Sequence, residues 1–170
     1  MKLDAKRITY DAMLAALCAV LGCFSLDTGN LKFSIENLPI IFGALCFGTP
    51  DGILIALTGS FISQLIMYGL SATTVIWMLP LIASAAFAGI VRGKSLEYSG
   101  KNIVLPIIIS EIVLLMFNTA VLYADSKIYG YYSAVYILGS IPWRILVSAI
   151  RSIVYIIILP PLLKAVRKVL

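Results

Sequence analysis

Histidine is absent from this sequence, and charged residues and cysteines are scarce. Of its 170 residues, 12% are Asp, Glu, Lys or Arg and 61% are hydrophobic. A soluble domain of this size could not solvate so apolar a surface, so the composition indicates an integral membrane protein. Without histidine, the sequence also excludes His-based catalysis and metal sites with histidine ligands.

Other motifs of catalytic and cofactor sites are missing as well. No glycine-rich loop is followed by Lys and Ser or Thr, so the chain should not hydrolyse ATP itself. No Gly-x-Ser-x-Gly elbow is present, and no membrane-embedded lysine stands beside a candidate serine nucleophile. Cys18, Cys23 and Cys46 lack the paired spacing of metal ligands and are interpreted as small packing residues. We therefore expect no enzyme activity and no metal or cofactor site.

Apolar segments alternate with polar connections along the chain. A helix needs about 20 mostly apolar residues to cross about 30 Å of hydrocarbon. We predict an all-α integral membrane protein, a compact bundle of six transmembrane helices forming a single domain over residues 1–170. The run 38–47 is too short alone, and it either gains length from its polar flanks or re-enters the membrane without crossing. The predicted spans are residues 8–24, 37–49, 51–70, 73–91, 103–123 and 134–164.

The distribution of basic residues favours six crossings over five. Nine of the thirteen Lys and Arg residues lie in the N-terminal segment, the loop at 92–101 and the C-terminal segment. Six crossings place these regions on one side, which the positive-inside rule makes the cytoplasm. We predict that both termini are cytoplasmic and that the connections 25–36, 69–72 and 124–132 face outward. The net charge of +5 is then an anchoring charge rather than a nucleic acid site.

Three charged residues fall inside predicted spans: Glu111, Arg144 and Arg151. A charge at the membrane centre costs about 2.5–3.5 kcal/mol on insertion scales, so each one needs a partner or a function. Arg144 and Arg151 are seven residues apart and share one helical face. Arg151 could pair with Glu111, and Arg144 could extend its charged end to the outer interface. Alternatively, the guanidinium groups bind an anionic ligand through paired hydrogen bonds.

Aromatic residues cluster near the outer end of the last helix and its neighbours. Most aromatic residues at this level belong to the interfacial belt, but together they could wall a pocket for a flat heterocyclic ligand. An asparagine in the fifth span would add a hydrogen-bonding group. The candidate ligand contacts in the spans are Trp77, Asn118, Tyr123, Tyr136, Trp143, Arg144 and Arg151.

The first span carries small residues one helical turn apart, namely Ala12 and Ala16, and Ala15 and Ala19. Small residues at this spacing allow a second helix to approach closely, which is how membrane helices associate. The pattern indicates either internal packing or a docking face for another membrane protein.

Three stretches of the chain carry a likeness to a known family. A short basic N-terminus runs into the alanine-rich residues 12–19, and residues 31–40 read Leu-Lys-Phe-Ser-Ile-Glu-Asn-Leu-Pro-Ile. Residues 43–52 combine a hydrophobic run with a Phe-Gly-Thr-Pro turn and a further glycine. Together these features resemble the substrate-binding S components of energy-coupling factor (ECF) vitamin transporters. Thr49 is an insertion relative to the Phe-Gly-Pro turn of that family.

Within that family, the closest likeness is to the folate-type branch, through residues 31–34 and 38–40. Residues 59–64 lack the acidic residue of that branch, and residues 68–74 lack its Phe-Pro-Gly-Phe run. Lys32, in the first of the matching stretches, joins the predicted ligand contacts.

The resemblance implies a substrate-binding subunit of an ECF-type importer in the bacterial cell membrane. Such a subunit would capture a small water-soluble vitamin, with a folate-like compound favoured, in a pocket of the last three helices gated by residues 25–36. Two ATPase subunits on other chains would supply the energy. The transmembrane coupling subunit would contact the small residues Ala12, Ala15, Ala16 and Ala19. The alternative is a non-transporting membrane scaffold, such as an MreD-like morphogenesis protein, which needs no ligand pocket.

Overall fold

The computed structural model describes residues 5–27, 32–92 and 100–167 of the chain. These residues form six α-helices and one short antiparallel hairpin, so the predicted all-α bundle of six helices is confirmed. Four of these helices, α3 to α6, are long and apolar enough to cross a membrane. In chain order the elements are α1 (Ala5–Cys23), β1 (Leu26–Asp27), β2 (Lys32–Phe33), α2 (Asn37–Cys46), α3 (Thr49–Tyr68), α4 (Thr74–Arg92), α5 (Gly100–Ile128) and α6 (Ala134–Arg167).

Helix α2 is shorter than the predicted span 37–49. Its ten residues rise about 15 Å, which is about half of the hydrocarbon thickness. Gly48, with a φ of 114°, takes a backbone conformation that other residues rarely adopt, and α3 starts directly after it. The helix tolerates its short length because most of its residues are buried against α1, α3, α4 and α6.

Helix α5 is longer than the predicted span 103–123 and includes part of the predicted outward loop. Asp125 and Ser126 are polar but buried, and the Ser126 hydroxyl donates to the Tyr123 carbonyl oxygen at 2.7 Å. The helix continues to Ile128. The polar residues after position 123 end the apolar run, but they do not interrupt the helix.

The start of α1, the turn between α2 and α3 and the end of α4 meet at one end of the bundle, called here the basal end. Arg7 donates from Nε to Asp51 Oδ1 at 2.8 Å and from Nη2 to the Phe47 carbonyl oxygen at 2.7 Å. Gly89 of α4 lies so close to Thr49 that a Cβ at Gly89 would be 2.3 Å from the Thr49 Oγ1 atom.

The start of α5 and the end of α6 share a buried cluster with the helix ends described above. This cluster contains Leu45 of α2 and Ala88 of α4 together with Ile103 of α5 and Leu163 of α6. Helix α1 therefore begins, and helix α6 ends, at the same basal end. That arrangement is the one that six alternating passes require.

Helix α1 packs tightly on α3 through small residues. A Cβ at Gly59 of α3 would lie 2.6 Å from the Cys18 Cβ and 2.9 Å from the Ala15 carbonyl oxygen. Ala15 and Ala19 are only 7% and 6% exposed. These two alanines of the predicted docking face are therefore internal packing residues, because they lie on the side of α1 that contacts α3.

The other half of the predicted docking face is open. Ala12 and Ala16 are exposed on the side of α1 that faces away from the bundle. Met13 and Leu17 beside them are 64% and 45% exposed. The exposed apolar face of α1 therefore contains Ala12 and Ala16 but not Ala15 and Ala19, so it is narrower than the predicted docking face.

Candidate functional site

A cavity of about 390 Å³ lies at the end of the bundle opposite the basal end. Its wall combines residues from the segment before α2, from α2 to α6 and from the connection between α5 and α6. Leucine and valine side chains of α4, α5 and α6 form its apolar part. The charged and aromatic residues that line it are Glu36, Tyr68, Trp77, Asp125, Tyr129, Tyr131, Tyr136, Arg144 and Arg151.

The base of the cavity contains a buried ion pair. Arg151 Nη2 lies 3.0 Å from Glu111 Oε2, and the two residues are 6% and 0% exposed. The predicted pairing of Arg151 with Glu111 is therefore confirmed. Arg151 also lines the cavity, so the pairing does not remove it from the site.

Helices α2 and α4 hold the same carboxylate in place. The Asn37 amide donates from Nδ2 to Glu111 Oε1 at 2.9 Å and to the Ser84 hydroxyl at 2.9 Å. The Ser84 hydroxyl donates to Asn37 Oδ1 at 3.1 Å. Burying these polar groups is tolerated because each finds a hydrogen-bonding partner. Together with Arg151 they connect four helices at the base.

Asp125 organises the aromatic wall nearer the mouth. Its Oδ1 accepts a hydrogen bond from Trp77 Nε1 at 3.2 Å, and its Oδ2 accepts one from the Tyr131 hydroxyl. The rings of Tyr131 and Tyr136 meet edge to face, with centroids 6.3 Å apart. Burial and the bond to Asp125 raise the pKa of the Tyr131 phenol, which therefore stays protonated and acts as a donor.

Five of the predicted ligand contacts lie on the cavity wall: Trp77, Asn118, Tyr136, Arg144 and Arg151. They come from three helices, so the bundle brings together residues that are up to 74 positions apart in the chain. The ion pair and the Asp125 hydrogen bonds link the parts of this wall.

Two other predicted contacts lie away from this wall. Trp143 is 60% exposed and does not line the cavity, whereas Arg144, the next residue of α6, does. Tyr123 is 49% exposed and packs edge to face on Tyr132, with centroids 5.5 Å apart. Lys32 belongs to β2, and its side chain lies outside the described part of the chain.

The sequence reasoning overlooked several residues on the wall, above all Glu36 and Asp125. Glu36 follows the hairpin, and its Oε1 accepts a hydrogen bond from the Ser34 hydroxyl at 2.9 Å. Its other oxygen lies against α1, where a Cβ at Gly22 would be 2.6 Å away. Asp125 could have been predicted on the wall if the fifth helix had been extended past residue 123. It then falls on the same helical face as Asn118 and Leu122.

The wall therefore offers two guanidinium groups, two carboxylates and a set of aromatic rings. These groups can bind a flat polar molecule by stacking and hydrogen bonding. In the described part of the chain, no three His, Cys, Asp or Glu side chains are grouped to hold a metal ion. A compact helical bundle with one polar and aromatic cavity at its end belongs to the class of membrane proteins that bind a small molecule.

The family follows from the sequence itself. The profile of the family described as "ECF transporter, substrate-specific component" matches residues 6–159, and the chain belongs to this family. It is thus a multi-pass protein of the plasma membrane and a non-enzymatic, substrate-binding transport subunit that works with an energising module.

A solved structure supports the fold. It is described as the S component of a bacterial ECF transporter, and it superimposes with a TM-score of 0.76 at 23% sequence identity. The match covers 95% of this chain and 97% of the solved one. No curated protein sequence matches this chain.

Proposed function

We propose that this chain captures a small water-soluble vitamin from outside the cell, with a folate-like compound favoured. The observation that carries the proposal is the combination of Arg144 and Arg151 with the Trp77 and Tyr136 rings on one cavity wall. A folate-like compound has a flat heterocycle that can stack on aromatic rings and carboxylates that can pair with a guanidinium group. The volume of about 390 Å³ falls within the usual range of small-molecule pockets.

The proposed orientation places the basal end in the cytoplasm and the cavity at the outer surface. Lys6, Arg7, Arg92 and Lys164 lie towards the basal end, whereas Lys127 lies at the cavity end. This asymmetry supports the orientation, because cytoplasmic segments are enriched in Lys and Arg. The cavity then meets substrate on the outside. Residues 25–36, of which 28–31 lie outside the described part of the chain, act as its gate.

The proposed partners are a transmembrane coupling subunit and two ATPase subunits. The exposed side of α1 around Ala12 and Ala16 supports contact with the coupling subunit, because small residues let another helix approach closely. The ATPases would provide the phosphate-binding loop that this sequence lacks.

A thermal unfolding screen tests the proposed substrate class. Protein purified in detergent is heated with folic acid, riboflavin, thiamine, biotin and other water-soluble vitamins in turn. A vitamin present at about 100 times its Kd should stabilise the folded state by about 2.7 kcal/mol. Stabilisation by folic acid supports a folate-like substrate. Stabilisation by another vitamin identifies that vitamin as the substrate instead, and stabilisation by none contradicts the proposed capture of a vitamin.

A pair of tryptophan variants locates the binding site. Val147→Trp fills the cavity that Val147 lines, and it should abolish the stabilisation by the vitamin. Ile153→Trp adds the same ring to a position of α6 that is 59% exposed, and it should leave the stabilisation unchanged.

A further inference from the structure

The positive charge of Arg151 is balanced by the Glu111 carboxylate. Its guanidinium group lies 3.0 Å from the Glu111 carboxylate, and Glu111 is fully buried. Ion pairs in a low-dielectric interior are weakly screened, so the two charges act as one nearly neutral unit.

The Glu111 carboxylate makes further contacts besides the one to Arg151. Asn37 donates to its second oxygen at 2.9 Å, and Asn37 is in turn bonded to Ser84. The Ser148 hydroxyl lies 3.4 Å from Glu111 Oε2, the oxygen that faces Arg151. Residues of α2 and α6 therefore contact this carboxylate directly, and α4 supports it through Asn37, so the ion pair is built into the cavity base.

Arg151 nevertheless has donors to offer. A guanidinium group carries five N–H donors, and one carboxylate accepts at most two of them in a forked pair. Arg151 lines the cavity, and its pairing with Glu111 through Nη2 leaves further N–H donors of the guanidinium group. The base therefore offers N–H donors without an excess of positive charge. A ligand anion placed there would lie close to the Glu111 carboxylate and be repelled by it.

We propose that Arg151 recognises an uncharged hydrogen-bond acceptor of the ligand, such as a ring carbonyl oxygen or a ring nitrogen, and that Arg144 meets the ligand's negative charge. This inference rests on the proposed vitamin-binding function. Arg144 lies seven residues before Arg151, about 10 Å farther along α6 towards the mouth. The heterocycle accordingly enters first, and an anionic tail points outward.

The test compares two probes that share one ring. Folic acid carries two carboxylates, and 6-hydroxymethylpterin carries none. Arg151→Lys keeps a positive charge opposite Glu111 but loses the planar set of donors. It should weaken the binding of both probes by a similar factor, about tenfold to a hundredfold. Affinities are measured by isothermal titration in detergent, and the unfolding midpoint verifies that each variant is folded.

Two matched variants at the other arginine complete the design. Arg144→Met should weaken the binding of folic acid by about tenfold or more. The affinity for 6-hydroxymethylpterin should stay within about threefold of its wild-type value. Arg144→Lys keeps the charge and should retain most of the affinity for folic acid. If Arg151→Lys does not fold, the double variant Glu111→Gln with Arg151→Gln removes the pair without leaving a buried charge and should weaken both probes.

Several results would overturn the inference. If Arg151→Lys weakened only folic acid, Arg151 would be the receptor for the anion, and if it weakened neither probe, Arg151 would not touch the ligand. If another vitamin bound instead of folic acid, only the folate preference would fail. If that vitamin is an anion, the same variants would be applied to it and to an uncharged analogue, with the same expected pattern. Binding of a vitamin without a negative charge would overturn the assignment of Arg144. Binding of no vitamin would remove the proposed function and this inference together.

Discussion

Gly59→Ala tests how closely α1 packs on α3, and thereby which alanines of α1 stay available to a partner. A Cβ at position 59 would lie 2.6 Å from the Cys18 Cβ, 2.7 Å from the Cys18 Sγ and 2.9 Å from the Ala15 carbonyl oxygen. Two of these atoms are fixed by the backbone of α1, so rotation of a side chain cannot relieve the overlap. The two helices would have to move apart.

The expected size of the effect comes from two opposing terms. Replacing glycine by alanine within a helix gains up to about 1 kcal/mol from helix propensity. Overpacking a tight contact costs about 1–3 kcal/mol. We expect Gly59→Ala to destabilise the protein by about 1–2 kcal/mol, since its overlaps involve backbone atoms. Gly139→Ala in α6 is the matched control, because nothing lies within 4 Å of its added Cβ.

The free energy of unfolding of both variants is measured by titration with sodium dodecyl sulfate in mixed micelles, with far-UV circular dichroism as the signal. Gly139→Ala should be neutral or slightly more stable than the wild type. If Gly59→Ala were as stable as Gly139→Ala, the close contact of α1 with α3 would be refuted. Ala15 and Ala19 would then return as candidates for the docking face.

Three further predictions address the gate, the partner and the topology. Gly22→Ala places a Cβ 2.6 Å from Glu36 Oε2 and 2.8 Å from the Ser63 Cβ, so it should displace the Glu36 carboxylate on the cavity wall and weaken vitamin binding by about tenfold in titration calorimetry; unchanged affinity would show that Glu36 does not contribute to binding. Ala16→Leu should prevent copurification with the coupling subunit but leave vitamin affinity intact, whereas Ala149→Leu, at another exposed alanine, should copurify normally; normal yield from both would remove the docking face. In a cysteine-free background, Lys6→Cys should be labelled only from the cytoplasm and Tyr129→Cys only from outside, and labelling from one common side would refute the orientation.

Hydropathy and charge were sufficient to predict the number and order of the helices. Each long apolar run between polar connections became a helix, because backbone groups in a membrane must be satisfied within the segment. Hydropathy and charge could not predict the short length of α2. Its ten residues are stabilised by burial among the other five helices, which depends on the three-dimensional arrangement.

The candidate site was predictable where a residue type is costly in a membrane. Glu111 and Arg151 stood out because buried charges need partners, and the structure pairs them. The direction of individual aromatic side chains was not predictable at the same level. Trp143 and Arg144 are neighbours in sequence but only Arg144 lines the cavity, and nothing in composition decides between them.

The role of Asp125 could not be predicted from the sequence for a different reason. A carboxylate next to a run of tyrosines at the end of a span is typical of a solvated loop, so its position alone indicated no function. Its role comes from Trp77, 48 residues earlier in the chain, and from Tyr131, which both donate to it. Long-range hydrogen bonds of this kind are visible only once the helices are packed.

Native mass spectrometry of the purified protein with a mixture of water-soluble vitamins tests the central claim most directly. The account predicts one vitamin molecule bound per chain, retained in Ile153→Trp and lost in Val147→Trp, whose added ring fills the cavity. Failure of the wild type to bind any of the vitamins, or equal binding by Val147→Trp, would contradict it.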